Sequence, residues 1–348
     1  MSSYRAALIG CGRPGPPPGV AEGYAIAYAH AKGYQAAGNV TLAAAADINP
    51  TNLEAFTATF GVPAAYGDYH EMLAHTRPDI VSVCTWPGLH VDMVVAAAEA
   101  GARGILCEKP MALGLGDADR MIEACVRSGT ILSICHQRRL APPFTTACSW
   151  LRAGAIGRLV RIDAWVGGGW DLLSWGTHWV DMFFYMVGDA PAGWVFAGID
   201  CTRRQRRYGH PVEDRSLAMV GFDDGVTAVL HIAPEVQGAG VRLIGANGQI
   251  DISDGAPVPR LIGGDEARAA PPDDGAAAWT DGFAAAVRDL VAAIEAGAAP
   301  QLDKNRGRAA TEVIMAAYAS GVERRLVALP YTDPEFPLNR LFAASAAL

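Results

Sequence analysis

The sequence has little charge, and what it has is not basic. Charged residues make up 18% of the 348 residues, and the formal net charge is −8. Surfaces that bind nucleic acid are usually rich in Lys and Arg, so this balance argues against such a partner. No apolar run reaches the ~20 residues of a membrane-spanning helix, and the first residues lack the layout of a signal peptide. We expect neither a nucleic-acid partner nor a membrane.

Several metal-binding and catalytic patterns are also missing. The seven cysteines form no C-x-x-C pair, which favours free thiols in a reducing compartment and predicts a cytoplasmic protein. No histidine pair has a spacing such as H-E-x-x-H, so we predict no metal site. The G-x-S-x-G turn of serine hydrolases does not occur. The 51% hydrophobic content is typical of a folded chain long enough for two domains.

The first 135 residues alternate between short apolar runs and stretches of helical pattern. The runs lie at 5–10, 40–47, 79–85, 103–108 and 130–135, and the helical stretches at about 20–37, 50–60, 68–76, 88–101 and 114–128. Strands that are apolar on both faces, each followed by a helix, indicate a parallel sheet covered on both sides. We predict a doubly wound Rossmann domain over residues 1–138.

The pattern changes in the rest of the chain. Closely spaced strand candidates follow two helical stretches, and the pairs Asp224-Gly225 and Asn247-Gly248 favour antiparallel hairpins. The composition of residues 253–278 predicts a surface loop. We predict a second α/β domain over residues 139–348, with a largely antiparallel open sheet and C-terminal helices able to pack back on the first domain.

A glycine-rich turn follows the first predicted strand. Gly10, Gly12 and Gly15 have the G-x-G-x-x-G spacing of a dinucleotide-binding turn, with Arg13 and Pro14 inside it. The next prolines, 16–18, cannot lie inside a helix, so the first helix is predicted to start near residues 20–21. A phosphate-binding turn with an added loop is the favoured interpretation, and a plain Pro/Gly loop is the alternative.

An acidic residue ends the second predicted strand. Asp47 stands where a carboxylate accepts hydrogen bonds from the adenosine ribose of a dinucleotide. The same charge repels the additional phosphate of NADP, so NAD is the predicted cofactor and NADP is disfavoured.

Four ordered motifs, "GCGRPG", "CTWPGLH", "CEKPMAL" and "GTHWVD", resemble those of the glucose–fructose oxidoreductase and inositol dehydrogenase (Gfo/Idh/MocA) family. "LRAGAIGRLVRI" and the closing "AAYASGVERRLVALP" extend the resemblance through most of the chain. The resemblance implies an N-terminal Rossmann domain and a C-terminal α/β domain whose open sheet often forms an oligomer interface. A homodimer or homotetramer through that sheet is therefore expected.

The resemblance also implies roles for individual residues. Lys109 matches the lysine that touches the substrate hydroxyl and the nicotinamide ribose, and His178 matches the catalytic histidine. Asp181 matches the acid that follows this histidine and is expected to orient its imidazole. The remaining positions that match cofactor-binding residues of the family are Thr85, Trp86, His90, Glu108 and Gln137.

One position departs from the family pattern. Many relatives have an aspartate four residues before the histidine, and here that residue is Ser174. Asp171, seven residues before His178, is two turns back on the same face if the stretch is helical, and it is a candidate to replace the missing acid. The alternative is that Ser174 itself serves as a hydrogen-bonding residue for the substrate.

The chemistry of alcohol oxidation suits this residue set. Hydride leaves carbon as the hydroxyl proton is removed, so an ammonium stabilises the oxygen and an imidazole accepts the proton near neutral pH. Trp170 and Trp175, shortly before His178, and Arg138, close to the cofactor segment, are candidates for contact with a sugar-like substrate. For the tryptophans, core packing is the alternative, and for Arg138 it is a solvated or structural role.

Three functions remain open from the sequence. The leading one is an NAD-dependent dehydrogenase of a sugar, inositol or glycoside. A second is an enzyme that uses bound NAD transiently to cleave a glycoside by oxidation and elimination, which the Ser174 departure keeps open. The third is a regulator that senses NAD(P) without catalysis, against which the presence of both Lys109 and His178 argues.

Overall fold

A computed structural model describes residues 3–12, 26–253, 256–263, 266–269 and 282–343 of the chain. The chain divides into two compact units, one of residues 1–137 and 280–307 and the other of residues 138–279 and 308–348. The segment 280–307 therefore belongs with the N-terminal unit, although it lies far along the sequence. Residues 13–15 and the predicted start of the first helix lie outside the described residues.

The elements follow one another in this order. The strands are β1 (Tyr4–Ile9), β2 (Val40–Ala46), β3 (Ala64–Tyr66), β4 (Ile80–Val83), β5 (Gly104–Cys107), β6 (Ile131–Ile134), β7 (Leu159–Val166), β8 (Ala192–Asp200), β9 (Arg206–Arg207), β10 (His210–Pro211), β11 (Arg215–Phe222), β12 (Thr227–Ile232), β13 (Ala239–Gly245), β14 (Gly248–Ser253), β15 (Ala256–Gly263), β16 (Glu266–Ala269) and β17 (Val327–Ala328). The α-helices are α1 (Ile26–Ala37), α2 (Pro50–Phe60), α3 (Tyr69–Thr76), α4 (His90–Glu99), α5 (Leu115–Ser128), α6 (Pro142–Arg152), α7 (Thr177–Met186), α8 (Gly282–Ala296), α9 (Lys304–Glu323) and α10 (Leu338–Ala343).

The sheet of the first unit is parallel throughout, in the order β3-β2-β1-β4-β5-β6. One face is covered by α3, α4 and α5, whose Met72, Val94 and Met121 share a buried cluster with strand residues. On the other face, Ala27 of α1 and Phe56 of α2 pack against β1 and β2. Helices on both faces of a parallel sheet make this the doubly wound fold that the alternation of strands and helices predicted. The strand β3 was not predicted, because three residues are too few to form a recognisable apolar run.

The second unit is built on a nine-stranded sheet in the order β16-β15-β14-β13-β7-β12-β11-β8-β17. Among the described strands of this sheet, only β7 and β12 pair in parallel, so the prediction of a largely antiparallel sheet is confirmed. The loop prediction for residues 253–278 is wrong over β15 and β16, which extend the sheet. The Gly and Pro residues of this segment favour a loop. The pairing of β15 with β14, and of β16 with β15, overrides that local preference. Among the described residues, no helix is long and apolar enough to cross a membrane.

We predict that Gly245→Ala destabilises the second unit. A Cβ at the end of β13 would lie 2.1 Å from the Ile156 carbonyl oxygen, and this backbone atom cannot yield cheaply. The expected loss in the free energy of unfolding is about 1–3 kcal/mol, measured by urea denaturation. Gly198→Ala in β8 is the matched control, because a Cβ there meets nothing within 4 Å. Equal stability of the two variants would contradict the packing argument.

Candidate functional site

The glycine turn begins where β1 ends. Gly10 and Gly12 both have positive φ angles, +88° and +71°, which residues with a side chain rarely adopt. A Cβ on Gly10 would also lie 2.6 Å from the Thr85 Cγ2 atom, so the turn packs closely against the segment after β4. Glycine is required at this point for both conformation and space. Arg13, Pro14 and Gly15 lie outside the described residues, and their predicted contact with the cofactor stays a prediction.

Asp47 holds this turn from the end of β2. Its Oδ2 atom accepts hydrogen bonds from the backbone N–H groups of Cys11 at 2.8 Å and Gly12 at 3.2 Å. Its Oδ1 atom accepts one from the N–H of Asn49 at 2.8 Å. A carboxylate offers about four lone-pair positions, two on each oxygen, so Oδ1 keeps capacity for a further donor such as a ribose hydroxyl.

A cleft of about 340 Å³ opens at the carboxyl edge of β1, β2 and β4. This is the point where the strand order reverses between β1 and β4, which is where doubly wound sheets place their ligands. The cleft brings together five of the predicted cofactor residues: Gly10, Gly12, Asp47, Thr85 and Trp86. Its wall also contains residues that sequence reasoning did not single out: Ile9, Ala46, Ile48, Asn49, Asn52, Gly67, Tyr69, Cys84, Leu89 and Met93.

His90 was expected in the cofactor lining, but it is fully buried and does not line the cleft. Its Nε2 atom lies 3.1 Å from the Thr85 carbonyl oxygen, and its Nδ1 atom lies 3.1 Å from that of Pro110. Burial lowers the pKa of the imidazole, against the effect of these carbonyl groups. His90 therefore ties the Thr85 segment to the chain just after Lys109.

Glu108 is likewise buried and turned into the protein, at the end of β5. Its Oε1 atom lies 3.0 Å from His30 Nε2, and its Oε2 atom accepts a hydrogen bond of 3.2 Å from the backbone N–H of Lys109. Burial acts to raise the pKa of Glu108, but the hydrogen bond and charge of His30 and the charge of Lys109 together lower it. The carboxylate thus stabilises the backbone from which Lys109 projects.

His30 continues this buried network. Its Nδ1 atom lies 2.8 Å from the Ser82 hydroxyl, which is also 2.6 Å from the Tyr34 hydroxyl. Donor atoms of His30, Glu108 and Cys135 lie within 4.8 Å of one another. They are already bonded to one another and to Ser82, which is the state of a satisfied hydrogen-bond cluster.

Gln137 begins the 3-10 turn Gln137–Leu140, which follows β6. Its side-chain oxygen is buried and has no hydrogen-bond partner within the part of the chain that the structure describes. A buried acceptor of this kind is expected to find a donor. Gln137 does not line the cleft, and its contact with the cofactor stays a prediction.

In the second unit, His178 is the second residue of α7, directly after a π-helical turn, Leu172–Gly176. Asp171 precedes this turn in an extended conformation, so the expectation that it lies two helical turns back on the same face is wrong. Instead it caps the turn. Its Oδ1 atom accepts a hydrogen bond of 2.6 Å from the Ser174 N–H, and its Oδ2 atom lies 2.9 Å from the Arg207 guanidinium.

Asp181, expected to orient the imidazole of His178, is bound by a neighbouring arginine. Both of its oxygens lie 2.9 Å from Arg139 Nε, and the same guanidinium reaches Asp189 at 2.9 Å. Arg139 and Asp181 are both buried, so this is an ion pair of the interior. Asp181 therefore has a structural role, and its catalytic role stays a prediction.

The tryptophans before and around His178 form a stack with two arginines. Trp170 and Trp175 are stacked with ring centroids 5.4 Å apart, and Arg207 lies 4.9 Å from the Trp170 ring. Arg138 lies 4.9 Å from the Trp175 ring and 4.5 Å from that of Trp179. The His178 ring meets the edge of Trp175 at 6.4 Å. Cation–π packing thus fixes the aromatic surroundings of the imidazole.

Sequence reasoning missed three residues of this region. Arg207 lies in the basic run 201–210, which is typical of a solvated surface, yet it binds Asp171 and Trp170. Glu213 and Tyr318 are buried and contact the π-helical turn. No spacing along the chain relates Tyr318 to Leu173, which lies 145 residues earlier, so no sequence signal was available.

Comparison with known proteins agrees with this geometry. Residues 5–136 match the family model GFO_IDH_MocA, "Oxidoreductase family, NAD-binding Rossmann fold". The myo-inositol 2-dehydrogenase of Thermotoga maritima is 31% identical over 154 residues, which are 44% of this chain and 42% of that protein. The D-apiose dehydrogenase of Paraburkholderia graminis is 25% identical over 369 residues, covering 97% of this chain and 92% of that protein.

The crystal structure of an aldose–aldose oxidoreductase from Caulobacter crescentus, complexed with glycerol, has the same fold. It superposes with a TM-score of 0.80 at 25% identity, covering 94% of this chain and all, 100%, of that one. The chain is therefore similar to the Gfo/Idh/MocA oxidoreductases. The resemblance, the fold class, the assignment as an oxidoreductase and NAD as its cofactor are thereby confirmed.

We predict that Asp47→Asn weakens the preference for NAD over NADP. The amide oxygen still accepts hydrogen bonds, but the charge that repels an additional phosphate is gone. The ratio of the two dissociation constants should fall by about tenfold, or about 1.4 kcal/mol, as measured by calorimetric titration. Asp68→Asn is the control, because Asp68 is an exposed cap of α3 that does not line the cleft. An unchanged ratio would remove Asp47 from cofactor selection.

Proposed function

We propose that this protein is an NAD-dependent dehydrogenase that transfers hydride between nicotinamide and a secondary alcohol of a sugar, inositol or glycoside. The observation that carries the proposal is the cleft at the switch point of the parallel sheet, where Asp47 holds the glycine turn. The names of the relatives, which include inositol and apiose dehydrogenases, support the substrate class.

The residues present suit NAD. Gly10 and Gly12 leave the turn free of side chains, Asp47 suits the adenosine ribose, and Thr85 and Trp86 complete the cleft. Gln137 adds a buried acceptor for an amide or hydroxyl donor. NAD, when bound, supplies the hydride acceptor, and the chain supplies orientation and charge.

In this proposal Lys109 and His178 act on the reacting hydroxyl. The Lys109 ammonium stabilises the negative charge that develops on the alcohol oxygen, and an imidazole nitrogen of His178 accepts the hydroxyl proton. Asp181 holds α7 through Arg139. Asp171 acts through the backbone of the π-helical turn, because its oxygens already serve the Ser174 N–H and Arg207.

Substrate contacts are proposed for Arg138, Trp170, Ser174 and Trp175. Trp170 and Trp175 are half-buried and already pack against each other and against arginines. Their ring edges, with the indole N–H groups, are therefore better suited to substrate hydroxyls than their faces are.

Oligomer formation through the open sheet is also proposed. On the outward side of β8 and β11, Phe196 and Leu217 are 47% and 49% exposed, and Met219 pairs with Phe196 across the strands. Adjacent exposed apolar side chains of this kind are typical of a protein–protein interface. A homodimer or homotetramer is the proposed state, and sedimentation velocity measures it directly.

A screen of inositols, aldoses and glycosides tests the leading function. NADH should accumulate with at least one of them. Ser174, in place of the family's aspartate, favours a second candidate, the oxidation and elimination of a glycoside with NAD used transiently. That enzyme would release the cleaved product without net NADH. NAD binding with neither outcome would instead support a sensing role.

We predict that Lys109→Ala lowers kcat by at least about 100-fold, because an electrostatic stabiliser of the transition state is lost. NAD binding should remain measurable by calorimetry, since the cleft around Asp47 is unchanged. Lys32→Ala, at an exposed position of α1, is the control. Retained turnover would remove Lys109 from the mechanism.

We predict a comparable loss of at least about 100-fold for His178→Asn, because the proton acceptor is removed. Steady-state kinetics across pH is the measurement, and His75→Asn, an exposed histidine of α3, is the control. If turnover and its pH dependence survive the change, another group accepts the proton.

A further inference from the structure

Three successive backbone N–H groups at the start of the segment that leads to His178 are taken up by buried side chains. Leu172 N–H donates to Glu213 Oε1 at 2.6 Å, and Leu173 N–H donates to the Tyr318 hydroxyl at 3.2 Å. Ser174 N–H donates to Asp171 Oδ1 at 2.6 Å. The first N–H groups of a helical segment have no partner inside it, and here the side chains of Glu213, Tyr318 and Asp171 provide one.

Glu213 is the centre of this arrangement. It is buried, and its Oε2 atom accepts a hydrogen bond of 2.8 Å from the Tyr318 hydroxyl. Its Oε1 atom accepts a second bond, of 3.0 Å, from the Ser216 hydroxyl. Tyr318 lies on α9 and Ser216 on β11, so Glu213 connects the π-helical turn to a helix and to the sheet.

The geometry of the turn depends on these partners. A π-helical turn is rare, and its first N–H groups have no partner inside it, so partners outside the turn matter to it. His178 follows the turn after a single residue, Thr177, and both residues are buried. A change in how the turn begins is therefore transmitted along a short backbone path to the imidazole.

We propose that Glu213 and Tyr318 are positioning residues for His178: they hold the N-terminus of the π-helical turn and thereby set the place of the imidazole in the reaction. The catalytic part of this proposal rests on the function proposed above for His178. The structural part, that the two side chains hold residues 172–174, does not.

Glu213 also makes the arrangement sensitive to pH. Burial, followed by the charge of Asp171, raises the pKa of Glu213 from 4.5 to about 7. The groups that face it are Asp171 before the turn, Tyr318 on α9 and the Cys201 thiol after β8, while Arg207 and His210 act on Asp171. Protonation leaves Glu213 fewer acceptor positions for the donors of Leu172, Ser216 and Tyr318.

The sign of the effect on stability follows from the direction of the shift. Between pH 4.5 and about 7 the folded protein keeps the Glu213 proton, which the unfolded chain has lost. The folded state therefore binds more protons in this window, and the contribution of Glu213 to stability falls as pH rises through it. Glu213→Gln should remove this slope from the pH dependence of the Tm.

The main test compares Glu213→Gln and Tyr318→Phe with the wild-type protein. Hydrogen exchange at residues 172–174 should become about tenfold faster in both variants, because a buried acceptor is lost or weakened. The kcat should fall by about 10–100-fold with little change in NAD affinity, since the imidazole is displaced while the cofactor cleft is untouched. The kcat–pH profile of Glu213→Gln should also change shape around pH 7.

Glu312→Gln is the matched control. Glu312 lies on the same helix α9 and accepts a backbone N–H, that of Tyr331 at 2.7 Å, away from the π-helical turn. In the Glu312→Gln variant, the rate of hydrogen exchange at residues 172–174 and the kcat should equal those of the wild-type protein. Wild-type exchange and kcat in the Glu213 and Tyr318 variants would overturn the proposal, as would equal effects in the control.

The two proposals fail in different ways. Full activity of His178→Asn would contradict the role of His178 in the reaction. Faster hydrogen exchange at residues 172–174 in Glu213→Gln would still support the structural part, that Glu213 and Tyr318 hold these residues. Loss of activity in His178→Asn with no effect of Glu213→Gln would overturn only the positioning role. If Glu213→Gln does not fold, Tyr318→Phe carries the same test, because it removes the acceptor of Leu173 N–H and the donor to Glu213 Oε2 but leaves the Glu213 carboxyl group in place.

Discussion

The candidate site depends on one kind of interaction, the hydrogen bond that a carboxylate accepts from a backbone N–H group. Asp47 holds the glycine turn in this way, Glu108 holds the N–H of Lys109, and Asp171 and Glu213 hold the turn before His178. Each of these acids lies where a regular element begins or ends, and there backbone N–H groups lack a partner of their own. A charge-assisted bond to such a group is stronger than a neutral one, so these acids order irregular segments that have no sheet or helix to hold them.

These acids are consequently less available for chemistry than their number suggests. Asp181 was the predicted partner of the imidazole and Asp171 the candidate to replace the family's aspartate, yet each is bound to an arginine, Arg139 and Arg207 respectively. In the function proposed above, the reacting groups are a lysine and a histidine, the two types whose charges suit an alkoxide and a proton near neutral pH. The acids hold the backbone in this proposal, and Lys109 and His178 act on the hydroxyl.

Most of the first unit was predictable from local pattern. The strands and helices from β1 to β6 follow from apolar runs and their helical intervals, with only the short β3 missed. The cofactor cleft was predictable because Gly10, Gly12 and Asp47 lie at the ends of adjacent parallel strands. His90 and Glu108 were found as members of motifs, but their burial behind the cleft was not, since a motif does not show which way a side chain turns.

The sequence alone was enough to predict the doubly wound fold and NAD as the cofactor. Both depend on short-range spacing, which folding preserves because strands and turns are built from neighbouring residues. The sequence motifs also carried the resemblance to the Gfo/Idh/MocA family, and that resemblance implied the candidate pair Lys109 and His178. The partners of the π-helical turn, Glu213 and Tyr318, lie far along the chain from it. The same is true of Arg207, the partner of Asp171. Tertiary structure alone decided those contacts, because a buried N–H group takes the nearest acceptor in space, wherever that acceptor lies in the sequence.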